Sequence, residues 1–414
     1  MGPPRMLRRR SRTLVLSVSI SFSISVLWRL QSRVSQLKIV LAASKGARQD
    51  PKHPCRTMDQ NRSPIPEDPV MGAEQCQGLL QNWSAGTLPA SPEDPVMGAE
   101  QCQGLLQNWS AGTLPARLDQ GWILRQLKLV QSCPWAHNAS ALGQYREQLG
   151  GCCNASADLV LTQNNTQLGS QIVYDAQRDK KHPVKEELLE MLPQVSPFQG
   201  APYECCAVVG NGGILHNSGC GPEIDRAQFV IRFNLPPMDN ADDVGTKSSV
   251  VTMNPSILHA RFRGLSRWRR PFAEVVGAYG APLLLIPAFS YVGQSTVSFQ
   301  ALYTLEDFGS PARAVFMNPE YLARLDGHWR PRGLRAKRLS SGFMLVSAAL
   351  ELCQHLTLYG FWPFPTDPEG RPLLHHYYDN QPPKPGAHAM PDEFTRYLGM
   401  HMQGALRLHL GRCR

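Results

Sequence analysis

The chain has 414 residues, 42% of them hydrophobic and 18% charged, which is enough to bury a large core and too long for a lone small binding module. Its net charge of +9 would suit nucleic acid, a membrane surface or an anionic substrate, but Lys and Arg are spread over most of the length, so charge alone selects none of these. Eleven cysteines form no Cys-x-x-Cys pair and no Cys/His cluster at zinc spacing, which argues against a metal framework and for a disulfide-bearing lumenal protein.

At the amino end, Arg5, Arg8, Arg9, Arg10 and Arg12 precede an uncharged run over residues 13–28. A basic flank before such a run predicts a signal anchor, with residues 1–12 a cytosolic tail and everything after residue 28 lumenal, a single-pass type II arrangement. The run is shorter than the roughly 20 residues that span an average bilayer, so a cleaved signal peptide is the alternative, although no small-residue cleavage pattern closes it. Arg29, Arg33 and Lys38 on the far flank blur the orientation. Residues 29–120 are rich in Pro, Ser, Gln and Gly and read as an extended stem. Within the stem the stretch 66–90 recurs identically at 92–116, repeating Cys76 as Cys102 and the sequon at Asn82 as Asn108. Two copies cannot build a solenoid, so this is either a duplication in a tolerant linker or an assembly artefact. Sequons at Asn82, Asn108, Asn138, Asn154 and Asn164 independently support glycosylation in the secretory lumen.

Order is expected from about residue 121, where ILRQLKLVQSCPW and ALGQYREQLGGCC carry helical spacing of apolar residues and predict cover helices. From Cys206 onward short apolar runs (CAVVG, FVIRFN, SSVVTM, PLLLIPA, ARAVFM, LTLYGF) alternate with helical stretches, the last of them PDEFTRYLGMHMQGALRLHL. Strands fed by crossover helices predict an α/β fold, a Rossmann-like, largely parallel sheet flanked by helices in a single catalytic domain, residues 121–414. In such sheets the ligand sits beyond the carboxyl ends of the strands.

The most informative segment is CAVVGNGGILHNSGCGPEIDRAQFVIRFNLPP, residues 206–237. A strand runs into Gly210-Asn211-Gly212-Gly213, where glycines let the backbone turn tightly and approach a phosphate or sugar; a Gly-rich turn alone is weak evidence. The whole segment resembles the large sialyl motif of animal sialyltransferases. Arg338-Leu339-Ser340-Ser341-Gly342 and the helix down to Cys353 resemble the small sialyl motif, His376-Tyr377-Tyr378-Asp379 the third motif, and His388 with Glu393 five residues on the very small motif, all in the family's order. The resemblance covers about residues 131–413, and QSCPW, QNNT, YGFWPF, HHYYDN and HMQG point to the α-2,8-sialyltransferase branch.

That resemblance implies a GT-A-like variant of the sheet, residence in the Golgi membrane, and inverting transfer of sialic acid from CMP-sialic acid, most naturally onto a terminal sialic acid of a glycoprotein O-glycan or a glycolipid. Asn211 and Asn234 stand at donor-contacting positions, against the plain alternatives of turn geometry and a strand-end cap. Ser340, Ser341 and Gly342 open a helix whose amides and hydroxyls would hold the donor carboxylate or phosphate, though an ordinary N-cap looks the same; Ser341 replaces the family's frequent Thr. His388 is the implied general base, since a sugar hydroxyl needs a group with pKa near neutrality to take its proton. Glu393 supports it, or is a helix-start acid favoured by the macrodipole. His376 would hydrogen-bond the donor phosphate, with His375 adjacent, and Trp362 stands at the donor nucleotide, where core packing is the equal alternative. The family's disulfides would be Cys206 with Cys353 and Cys220 with Cys413; Cys205 could compete with Cys206 or pair with Cys133, Cys152 or Cys153, and Cys55 is unassigned. An odd total leaves one cysteine free or joined to another chain, which is compatible with a homodimer.

No cofactor is expected beyond the donor substrate, and no metal, because a CMP donor has a single phosphate and the only adjacent pair of aspartates, Asp242-Asp243, reads as a solvated loop. Expected partners are CMP-sialic acid, a sialylated acceptor and the membrane, and not nucleic acid, for which only the basic stretch 259–270 speaks. Transfer to galactose or N-acetylgalactosamine, or a catalytically silent sialoglycan-binding protein, are the competing readings. In residues 175–203 the charges of Arg178, Lys180, Lys181 and Lys185 are cancelled by Asp175, Asp179, Glu186, Glu187 and Glu190, so one or a few additions are expected in place of a long polymer.

Overall fold

The computed structural model describes residues 120–413 except 132, 134, 335 and 382–387; the expected tail, anchor, stem, duplicated stretch and the sequons at Asn82 and Asn108 lie outside the described residues. In chain order the elements are α1 (Gln120–Gln131), α2 (Ala139–Cys152), α3 (Ala155–Asp158), β1 (Gln171–Val173), β2 (Lys181–Pro183), α4 (Glu186–Glu190), β3 (Tyr203–Val209), α5 (Gly221–Asp225), β4 (Phe229–Phe233), α6 (Ala241–Val244), β5 (Val250–Thr252), α7 (Pro255–Phe262), α8 (Arg269–Gly277), β6 (Leu283–Ile286), α9 (Val292–Asp307), β7 (Arg313–Phe316), α10 (Pro319–Trp329), α11 (Ser341–Leu352), β8 (Cys353–Tyr359), α12 (Met390–Met402) and β9 (Arg407–His409).

Seven strands form one parallel sheet in the order β7-β6-β5-β4-β3-β8-β9, and β1 with β2 make a small antiparallel hairpin beside it. The six apolar runs named above become β3 to β8. They lack polar alternation because both faces of the sheet are covered. Leu283 and Leu285 face one hydrophobic cluster, with α2, α11 and α12, while Leu284 and Ile286 face another, with α7, α8 and α9. Strands are laid outward from β3 to β7, and the chain then returns to place β8 on the other side of β3. The order therefore reverses between β3 and β8, and a crevice opens beyond their carboxyl ends, where sheets of this kind bind ligands.

Two expectations are corrected. The apolar stretch over residues 391–410, read as one helix, breaks after Met402: Gly404 turns with φ of +77° and a Cβ there would lie 2.5 Å from the Ala136 carbonyl, after which Arg407–His409 pairs with β8 as an edge strand. Asp243, read as solvated, is buried, and its carboxylate accepts from Asn217 N at 2.7 Å and Gly219 N at 2.9 Å. Only Asp242 is exposed. Asp243 thus ties α6 to the loop after the glycine turn, and its oxygens are occupied by backbone donors.

Disulfides join Cys206 to Cys353 and Cys220 to Cys413, the pairings that the family resemblance implies. Cys152 and Cys153 bond to each other, and Cys133 and Cys205 are also disulfide-bonded. The first bridge clamps the start of β8 to β3 across 147 residues, and the second ties the carboxyl end to the loop before α5 across 193. Loops of that length give the largest restriction of the unfolded chain. Cys413→Ser is therefore expected to cost about 2–5 kcal/mol and to cut the yield of folded protein, read as a lowered Tm and lost secretion; an unchanged Tm would contradict it.

Candidate active site

The strand-to-loop junctions at the β3/β8 switch point build the site. Beyond Val209 the chain turns through Gly210–Gly213 while beyond Tyr359 it turns through Gly360, and the two backbones bond directly: Gly210 N donates to Tyr359 O at 2.7 Å and Gly212 N to Gly360 O at 2.9 Å. A Cβ on Gly212 would sit 2.5 Å from the Gly360 oxygen, and one on Gly213 would sit 2.0 Å from the Leu374 oxygen. These glycines are required by backbone crossing backbone. The third-motif segment closes over the same turn, since Tyr377 N donates to Asn211 O at 2.9 Å and Gly213 N to His375 O at 3.3 Å.

This junction floors a cleft of about 810 Å³. Asn211, Asn234, Ser340, Ser341, Gly342, Trp362, His375, His376, His388 and Glu393 all line it, so four sequence segments spread over residues 211–393 converge on one cavity. Asn211 donates its Nδ2 to Phe233 O at 3.0 Å, which orients the amide and leaves the buried Oδ1 without a hydrogen-bond partner among the described residues. Asn234 sits at φ of +64°, with Oδ1 accepting from Asn254 N at 3.2 Å, so its amide nitrogen is the group left to donate. A positive φ is tolerated best by Asn among residues with side chains, which accounts for this residue type at the end of β4.

Ser340 is the N-cap of α11: its Oγ accepts from Phe343 N at 3.0 Å. Its own N donates to Glu393 Oε1 at 2.8 Å and its hydroxyl donates to Glu393 Oε2. Glu393 is 1% exposed, and burial raises its carboxyl against the lowering effect of those two bonds. The acid therefore reaches across from α12 to hold the mouth of α11, leaving the amides of Ser341 and Gly342 at the positive helix end facing the cleft. The macrodipole reading of Glu393 misses this long-range role, which no local pattern encodes.

His376 bonds through Nδ1 to Asp379 Oδ1 at 2.7 Å and stacks on Tyr378. Burial raises the Asp379 carboxyl, but bonds from Gln381 N and His376 outweigh it and hold the carboxyl below its usual value. The carboxylate keeps the proton on Nδ1 and turns Nε2 outward. His375 lies beside it, and burial followed by the neighbouring His376 lowers its pKa. His388 is exposed, and its Nδ1 donates to the Arg338 carbonyl at 2.9 Å, which leaves the Nε2 lone pair as the basic position. Trp362 is both wall and core: it lines the cleft, is 5% exposed, and spends its indole N–H on Thr366 O at 2.8 Å while packing on Phe364 and Phe394. Asn254 and Phe361 also line the cleft and were not singled out from sequence; the Asn254-Pro255 step between a strand and a helix is the signal that could have found the first.

Among the described residues, the one group of potential metal ligands is Cys220, His409 and Cys413, whose two sulfurs are bonded to each other. The described sequon residues Asn138, Asn154 and Asn164 are all exposed. Glu393→Ala is expected to leave the Ser340 N–H and hydroxyl unsatisfied, lowering stability by about 2–4 kcal/mol and activity along with it, whereas Glu393→Gln, which can still accept from Ser340 N, retains more of both. Equal behaviour of the two variants in thermal melts and transfer assays would refute the assigned role.

Residues 160–405, more than half of the chain, match glycosyltransferase family 29 (sialyltransferase). Human alpha-2,8-sialyltransferase 8E is 46% identical over 288 residues, 69% of this chain and 77% of that protein; mouse alpha-2,8-sialyltransferase 8F is 43% identical over 292 residues, 70% and 73% respectively. The motif wording resembles the type VI member of the branch most, but the two kinds of relative match almost equally. A crystal structure of a mammalian sialyltransferase superposes with a TM-score of 0.38 at 16% identity, over 87% of this chain and 100% of that one, too loosely to relate individual residues. With the family's match over the domain that holds the cleft, the chain belongs to glycosyltransferase family 29, the sialyltransferases.

Proposed function

We propose that the chain is an inverting α-2,8-sialyltransferase that moves sialic acid from CMP-sialic acid onto a terminal sialic acid of a glycoprotein or glycolipid, anchored in the Golgi membrane by residues 13–28 with its catalytic domain lumenal. The observation that carries this reading is the presentation of His388: a carbonyl fixes the proton on Nδ1, and Nε2 is available as a base at the rim of a cleft that gathers every donor-contacting motif.

The reaction is a single in-line displacement. Nε2 of His388 takes the proton of an acceptor hydroxyl; that oxygen forms a bond to the anomeric carbon of the donor; the bond from that carbon to the phosphate oxygen breaks, and CMP leaves with the electron pair. The Ser341 and Gly342 amides at the α11 terminus and the His376 ring, held in place by Asp379, meet the anionic groups of the donor and the charge that grows on the leaving phosphate. Asn211 Oδ1 and the Asn234 amide supply an acceptor and a donor for the nucleotide or sugar. No metal enters: the phosphate charge is met by helix amides and His376, and the oxygens of Asp243 are already occupied by backbone N–H groups. Short products are favoured, because the bases of residues 175–203 are matched by acids, with Lys180 paired to Asp179 at 3.1 Å.

His388→Ala in the full-length chain is expected to lower kcat by about 10²- to 10⁴-fold while CMP binding changes little; transfer within a few-fold of the parent would place the base elsewhere. Incubation with CMP-sialic acid and a panel of sialylated and asialo acceptors tests the linkage. Transfer confined to sialylated acceptors and unaffected by EDTA is expected, and strict dependence on Mn²⁺ or Mg²⁺ would remove the metal-free mechanism.

A further inference from the structure

The helix α9 packs Val297, Ala301, Leu302 and Leu305 into the core on one side of the sheet. A surface helix of this kind ordinarily turns charged side chains to solvent. In α9 the charged residues are confined to Glu306 and Asp307 at the carboxyl end. Its outer face is built instead from Thr296, Gln300 and Tyr303, which follow one another at three- and four-residue spacing and are all exposed, Tyr303 by 44%.

The two edges of this uncharged face carry opposite charge. Phe299 and Thr304, about 140° apart around the helix, mark the two sides. On the Phe299 side the ring meets His182 of β2 at 5.8 Å, and α4 follows that hairpin. Burial, then Glu306, Glu190 and Glu187, raise the pKa of the Tyr303 hydroxyl, so the α4 acids lie close to the face. On the Thr304 side Arg269 of α8 donates Nε to Thr304 Oγ1 at 3.0 Å, and Arg269 and Arg270 lie 5.9 and 5.7 Å from the centre of the exposed Phe308 ring. The α4 edge sets Glu186, Glu187 and Glu190 against Lys185. The α8 edge sets Arg263, Arg267, Arg269 and Arg270 against Glu274 and Asp307, the latter paired with Arg269. One edge is therefore left net acidic and the other net basic.

We propose that the outer face of α9 is a two-fold interface between two copies of this chain. A two-fold axis running along the face turns one copy over onto the other. It lays Thr296, Gln300 and Tyr303 against their own counterparts and sets the α4 acids of each copy opposite the α8 arginines of the other. A foreign partner would have to carry the same charges in the reverse order on either side of an uncharged strip, and a second copy presents that pattern by symmetry. A centre depleted of charge and bearing a tyrosine, inside a charged rim, has the composition of an associating surface. The rim pairs fix the register of the two copies, and the centre supplies the contact. Thr296, Gln300 and Tyr303 stand outside the lining of the cleft, so this inference is independent of the proposed reaction.

The test uses the full-length chain in detergent, with size-exclusion chromatography and light scattering for the mass and transfer activity as the check on folding. Wild type is expected to be a dimer, and Thr296→Arg with Gln300→Arg, which places like charges on the axis, to weaken it at least about tenfold. Gln300→Cys is expected to give at least about five times more disulfide-linked dimer on a non-reducing gel than Glu369→Cys, an exposed position in the loop after β8, because only residues near the axis come within bonding reach of their own copies. Glu187→Arg with Glu190→Arg is expected to weaken the dimer, and adding Arg267→Glu with Arg270→Glu to restore it; this pair of variants and the cysteine comparison decide the matter if the arginine variant is poorly folded. A monomeric wild type, a dimer unchanged by the like charges, or cross-linking of Gln300→Cys no greater than that of Glu369→Cys overturns the interface. A bond from Gln300→Cys to another cysteine of its own chain also overturns it, since a segment of the same chain would then cover the face.

Discussion

The site depends on one constraint, the crossing of two backbones at the switch point of the sheet. Gly210–Gly213 and Gly360 approach so closely that a single Cβ on Gly212 would collide with a carbonyl oxygen at 2.5 Å. Because this contact is hydrogen-bonded on both strands' exits, it fixes where β3 and β8 end relative to each other, and therefore where Asn211, Phe361 and Trp362 stand. The Cys206–Cys353 bridge ties the middle of β3 to the start of β8, so the two strands are also joined covalently away from that crossing. The third-motif segment then has a rigid surface to lie on, and His376 inherits its position from an antiparallel bridge to Gly212.

Much of this was legible in sequence, for reasons that are physical. A parallel sheet covered on both faces produces uninterrupted apolar runs, and all six expected runs are strands. Turn glycines announce themselves too: a tight turn open to a phosphate or sugar was the expectation, and the structure adds a close approach to another stretch of backbone. What local pattern could not encode were partners far apart in the chain. Glu393 looks like an ordinary helix-start acid, and its bond to Ser340 spans 53 residues. Asp243 looks like a loop acid until three-dimensional folding brings Asn217 and Gly219 amides to it. The final edge strand was hidden because its leucines continue the apolar spacing of α12, and only the turn at Gly404 separates them.

Arg232 shows the same limit from the interior. It lies in the large motif, between two residues with apparent reasons to be there, and is 0% exposed. Its guanidinium donates to the carbonyls of Val244 at 2.7 Å and Lys247 at 2.9 Å, with Asp225 at 3.9 Å. Burial lowers its pKa, and Tyr377, Asp225 and Tyr279 oppose that shift. A buried cation is costly unless hydrogen-bonded, and here the bonds fasten the end of α6 and the loop before β5 to β4.

The proposed reaction brings together several anionic groups: the donor's phosphate and carboxylate and the acceptor's carboxylate. The lining meets them with few full charges. Helix-terminal amides at Ser341 and Gly342 and an imidazole oriented by Asp379 supply directed contacts of modest strength. Fixed dipoles of this kind need no reorganisation as charge moves from the breaking bond onto the phosphate, so they favour the transition state over the ground state. A lining dense in Lys and Arg would hold CMP after the bond had broken and slow its release. Both oxygens of the buried Glu393 are engaged by Ser340, so this acid fixes the helix mouth.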